Sequence, residues 1–116
     1  MTILKKSDNL TMQEMYKLIK SPEIAKLSSI KGEELEIAAF IVYEDADVKT
    51  GEITHVAGFE SAQGELFATN SKTFVRDFLD IIAMCEEAGA ALPTIIKVYP
   101  RTGKSGREYI QCVYIA

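Results

Sequence analysis

Four cations fall within residues 97–107 of this 116-residue chain: Lys97, Arg101, Lys104 and Arg107, with no Asp or Glu among them. Two of the chain's three arginines lie here, and Tyr99 and Tyr109 flank the cluster. Sequence-tolerant binding of a single nucleic-acid strand needs both of these ingredients. Cations track the phosphates, and aromatic faces accept any base. Gly103 and Gly106 let the segment shape itself to a backbone. The competing structural reading is a basic hairpin kept soluble by its own charge, as exposed strands often are.

The chain as a whole is acidic, with 13 Lys and Arg against 17 Asp and Glu and a formal net charge of -4. With +4 confined to eleven residues, the remainder stands at -8. Such a balance argues against a protein that grips nucleic acid with its whole surface. It leaves room for one confined track.

A second patch follows from strand alternation. His55, Ala57 and Phe59 share one face of an expected strand, and Phe67 lies beside them on the next. Facing outward, these aromatics are a stacking platform worth roughly 1–3 kcal/mol per stacked base. Facing inward, they are core, and a shift of one residue exchanges the two outcomes.

Other motifs carry less. Thr102-Gly103-Lys104-Ser105 lacks the upstream glycine of a phosphate loop, because Val98 stands in its place, and it leads into a β-run rather than a helix. Asp45-Ala46-Asp47 begins like a calcium loop, but Lys49 occupies the third ligand position and Gly51 falls one place late. Asp77 and Asp80 share a helix face, which reads as solvated surface without a second carboxylate cluster. With one histidine, His55, and no close cysteine pair, no set of zinc ligands is present. A Cys–His nucleophile pair has no local support. No catalytic residue, metal or cofactor is therefore expected.

The elements that must position these residues read as follows. Residues 7–30 form one or two short helices, the first opened by the capping-box spacing of Thr11 and Glu14. Pro22 interrupts that run, and a second helical turn is expected over residues 23–27. Strands are expected over residues 35–43, 52–60 and 65–69, the last two joined by a loop at residues 61–64. Asn70-Ser71 supplies cap chemistry for a helix through Glu87, with Phe74, Phe78, Ile81, Ile82 and Cys85 on its buried face. Arg76 and Asp80 are spaced for an ion pair on that helix's other side. Two final strands, residues 94–99 and 108–115, enclose a loop at residues 100–107. The expected architecture is mainly β with helices: a five-stranded OB-fold-like barrel of order β-β-β-α-β-β over residues 35–116, with residues 1–34 as a helical extension packed on it.

An apolar share of 47% and a charged share of 26% are ordinary for a folded domain of this length. No run approaches the ~18 apolar residues of a membrane span. The N-terminus lacks the apolar stretch of a signal peptide, so a cytoplasmic protein is expected. Cys85 and Cys112 are then reduced and buried, as small hydrophobes.

Two segments carry a likeness to a known group. Gly64-Glu65-Leu66-Phe67-Ala68-Thr69-Asn70-Ser71 enters a Phe-rich helix, and Gly103-Lys104-Ser105-Gly106-Arg107-Glu108-Tyr109 closes the chain. In this pattern the chain resembles the small OB-fold single-stranded-DNA-binding proteins of bacteriophages, over roughly residues 35–116. The resemblance implies sequence-tolerant coating of single strands in phage DNA replication or recombination, as a homo-oligomer in the cytoplasm of a bacterial host. It also makes replication or recombination proteins candidate partners. One departure is the ending Tyr114-Ile115-Ala116, where bacterial relatives carry an acidic recruiting tail. RNA is an equally acceptable ligand on charge and stacking alone. A non-catalytic protein-interaction module, as an inhibitor or assembly factor, is the alternative, because residues 109–115 are apolar on both faces apart from Gln111. A small nuclease using Asp77 and Asp80 is the third reading.

Overall fold

The computed structural model describes residues 1–116. Strand β1 (Thr2–Lys6) and helix α1 (Met12–Lys20) come first. The two-residue strand β2 (Ala25–Lys26) follows, then a 3-10 turn at Leu27–Ile30. Next are β3 (Glu34–Ala46), β4 (Ile53–Ser61), β5 (Leu66–Thr69), helix α2 (Lys72–Glu87), β6 (Ile95–Thr102) and β7 (Glu108–Tyr114). The architecture is mainly β with two helices, on a strongly curled, half-barrel sheet compatible with a barrel-like fold.

The strand count and order correct the five-stranded expectation. Seven strands run β2-β5-β4-β3-β6-β7, with β1 on β3. The extra two come from the N-terminal segment expected to be helical. There β1 pairs antiparallel with residues 41–44 of β3, and β2 pairs parallel with Phe67 and Ala68 of β5. A strand replaces the expected second helical turn because Ala25 and Lys26 find open hydrogen-bonding positions beside β5, which local pattern does not reveal.

Strand β3 organises the sheet. Residues 34–36 pair with β6, and residues 37–46 pair with β4. A register shift between Ile37 and Ala39 marks an irregularity in that ladder. Such a bulge bends its strand and increases the local twist, which suits the curl. The run Ala39 to Tyr43 is buried on both faces, explaining its unbroken apolar character. Phe40 and Val42 join the main core with Phe59, Phe67, Phe74 and Phe78 beneath α2. Ala39, Ile41 and Tyr43 pack with Leu18 of α1 on the opposite side.

The caps anticipated from sequence form. Glu14 N–H donates to Thr11 Oγ1 at 3.1 Å, and Thr11 N–H donates to Glu14 Oε1 at 3.3 Å. Ser71 Oγ accepts from Phe74 N–H at 3.4 Å, opening α2. Within α2, Phe74 and Phe78 meet Phe59 edge to face at 6.1 and 5.0 Å between centroids. Such pairs contribute about 0.5–1.5 kcal/mol beyond area burial. Both cysteines are free and buried, as expected. No helix is long and apolar enough to cross a membrane.

Candidate nucleic-acid interface

Strands β6 and β7 form an antiparallel hairpin with Tyr99 opposite Gln111 and Arg101 opposite Tyr109. Alternation sends Ile96 and Val98 inward, where both are fully buried. Lys97, Tyr99 and Arg101 therefore project from the other face. The turn is tight: Gly103 N–H donates to Arg107 C=O at 2.8 Å, and Gly106 N–H to Gly103 C=O at 3.0 Å. Gly106 adopts φ +80°, the left-handed position that this hairpin type reserves for glycine.

The loop expected over residues 100–107 is shorter in the structure, because β6 continues through Pro100, Arg101 and Thr102. Proline is tolerated there since β6 pairs with β3 only over residues 95–97, so no ladder bond at Pro100 is lost. Arg101 thus sits on a strand and not in a flexible loop.

This placement brings a cationic–aromatic row together. Lys97 Nζ lies 5.8 Å from the Tyr99 ring centroid, and the Arg101 guanidinium carbon lies 5.9 Å from it. Both are within cation–π range. Tyr99 remains 40% exposed and Tyr109 37%, so each ring is still open to a ligand. Lys104 and Arg107 are exposed at the hairpin tip. None of the four cations is in an ion pair, since the five pairs present involve other residues. Gln111, opposite Tyr99, adds an amide to the same face. Sequence reading passed over it, although alternation along β7 from Tyr109 was the signal.

Two acids, Glu34 from distant chain and Glu108 next to Arg107, temper the local +4. Glu34 of β3 pairs in register with Lys97. Glu108 meets Lys31 at 3.3 Å beside the hairpin. The face is most strongly cationic at Arg101, Lys104 and Arg107.

No family model, curated protein or solved structure matches this chain.

The second patch does not form a stacking platform. Phe59 is fully buried and Phe67 is 6% exposed, both in the core beneath α2. Their shared face points inward because Phe74 and Phe78 cover it, so neither ring can accept a base. His55 lies on the same face beyond the reach of the core and is exposed. It is held by Glu44 directly across the sheet, with Nε2 to Oε1 at 3.1 Å. A carboxylate at that distance opposes an incoming phosphate, and the hairpin face does not include His55.

Other expected surface groups also move. Arg76 pairs with Asp77 at 3.6 Å rather than with Asp80. Asp77 is not a solvated group: its Oδ2 is buried without a hydrogen-bond partner. Burial first, and the Asp77 charge second, push the Cys112 thiol up to about 12. Asp80 remains exposed on α2, so the two carboxylates do not share a solvated site. Near the other end of the sheet, Asp47 Oδ1 accepts from the N–H groups of Lys49 and Thr50 at 2.8 and 3.0 Å. Those donors, Thr50 foremost, lower the Asp47 pKa below its ordinary value. Strand β7 is buried on one face only, through Ile110 and Cys112, with Tyr109 and Tyr114 open on its length.

Proposed function

We propose that this protein is a non-catalytic, sequence-tolerant binder of single-stranded DNA, with the outer face of the β6–β7 hairpin as its contact surface. The observation that carries the reading is the outward-facing row Lys97–Tyr99–Arg101, with both cations on the Tyr99 ring and neither in an ion pair. Arg101, Lys104 and Arg107 would hold phosphates, and Tyr99 and Tyr109 would stack on bases. On this reading the curled sheet is an OB-fold left open on one side, with β3–β4–β5 and β3–β6–β7 pairings and α2 between β5 and β6. The hairpin then occupies the place of the loop that borders the ligand cleft in that architecture. The resemblance to phage single-stranded-DNA-binding proteins points the same way. It adds a homo-oligomer acting in DNA replication or recombination in a bacterial cytoplasm.

The test is a low-salt anisotropy titration with oligo-dT, duplex DNA and RNA of equal length. Oligo-dT is expected to bind more tightly than duplex, with a slope of log K against log salt near -2 for three neutralised phosphates at ~0.7 each. Reversing Arg101 and Lys104 to Glu is expected to abolish binding while leaving the circular dichroism spectrum intact. Unchanged affinity in that variant rejects the hairpin as the site.

A second reading, a protein-interaction module, is favoured by one feature. Ile81, Met84, Cys85, Ala88, Ala90 and Tyr114 line a wholly apolar depression of about 220 Å³. A pull-down yielding one stoichiometric protein and no nucleic acid would support it over DNA binding.

A further inference from the structure

The half-barrel is open between its edge strands β2 and β7, with no pairing across the gap. A cleft of about 710 Å³ fills that seam, and Lys31, Lys72 and Arg107 line it against a single acid, Glu108. Arg107 and Tyr109 belong both to this cleft and to the hairpin. Asn70 stands where the cleft meets two neighbouring ones and is exposed, with no hydrogen bond from its amide.

Charge distinguishes the two continuations. The neighbouring cleft toward His55 sets Lys72 and Arg76 against Glu52 and Asp80. The other, of about 390 Å³, has Lys26 and no acid. A polyanion leaving the hairpin tip therefore finds no net positive charge on the first route, where two carboxylates offset two cations, and an unopposed lysine on the second.

We infer that the strand-binding track continues off the hairpin into this seam, with Lys31 and Lys72 as further phosphate contacts and Asn70 at the junction toward Lys26. This rests on the reading of the hairpin as a single-strand binder. In the free protein Lys31 is engaged by Glu108 at 3.3 Å, and both side chains are more than half exposed. So exposed a pair is weak, and a phosphate can take Lys31 from it. Glu108 is then an electrostatic brake on entry to the seam.

The experiment compares two oligo-dT lengths, about 6 and about 16 nucleotides, spanning the site sizes of such folds. Wild type, Lys31→Glu/Lys72→Glu and Glu108→Gln are titrated at low salt, with folding checked by circular dichroism. Wild type is expected to bind the longer oligonucleotide more tightly. The double variant should lose that length-dependent gain, and bind the short one as wild type does. Glu108→Gln should tighten binding of the long oligonucleotide by about 3- to 10-fold, through loss of one repulsive charge. This gain is not expected if the Lys31–Glu108 pair only supports the fold. Variants equal to wild type at both lengths overturn the seam track and leave the hairpin site standing. Equal loss at both lengths assigns the lysines to a general field and also overturns it. No binding by wild type at either length rejects the single-strand reading itself, and the track with it.

Discussion

Tyr99 and Arg101 stand two residues apart on β6, with the guanidinium carbon 5.9 Å from the centroid of the Tyr99 ring. The ring braces the cation and remains 40% exposed, so on the proposed reading one side chain serves both charge and stacking. The chain has no Trp and five Tyr, so tyrosine emission includes a contribution from Tyr99 and Tyr109 on this face. Saturating oligo-dT is expected to quench that emission. Tyr99→Leu should weaken binding by about 1–3 kcal/mol, whereas Tyr99→Phe should keep near wild-type affinity; both should reduce the quench, since each removes the Tyr99 emitter. Arg101→Glu should cost more affinity than Lys97→Glu, because Glu34 already stands across from Lys97. The reverse ranking would displace the centre of the site from the hairpin end.

Gly58 on β4 is held by a close approach. A Cβ added there would lie 2.9 Å from the Leu18 carbonyl oxygen, a backbone atom near the end of α1. Gly58→Ala must therefore push α1 away from the sheet. A loss of about 1–3 kcal/mol is expected from overpacking. Urea unfolding checks it through a lower midpoint, while oligo-dT affinity in native buffer should be unchanged. A midpoint at or above that of wild type would mean that α1 yields freely.

Cys112 gives a pH and reactivity prediction. Its thiol is 4% exposed and pushed up to about 12 from an ordinary 9.0. At pH 8 essentially no native thiolate is present, so iodoacetamide should modify Cys112 only after unfolding. The linkage sign follows from the same shift. A folded-state pKa above the unfolded value stabilises the protein below pH 9 and loses that contribution as pH rises toward 12. Cys112→Ala should flatten the fall in stability over that window. Peptide mass spectrometry of the native protein showing rapid labelling at pH 8 would contradict the burial.

Local signals were legible in the amino-acid pattern, and long-range ones were not. The caps at Thr11 and Ser71 and the Phe face of α2 each depend on residues within a few positions. Strand β2 has only two residues and no period to read, and β1 is defined by partners near residue 40. Alternation correctly grouped His55, Phe59 and Phe67. The inward direction of that face depends on where α2 docks, which pairing distance along the chain does not encode. The same limit applies to charge. The window at residues 97–107 contains no acid, yet Glu34 arrives beside Lys97 from over 60 residues upstream.

That distance has a consequence for synthesis. Residues 34–36 emerge from the ribosome long before their partners at residues 95–97 exist. At ~5–20 residues per second the wait is roughly 3–12 s. During it, the Leu35 end of β3 has no β6 to pair with, while the rest of the strand can already zip to β4. The nascent chain thus carries a half-finished sheet that closes only after its last quarter is translated.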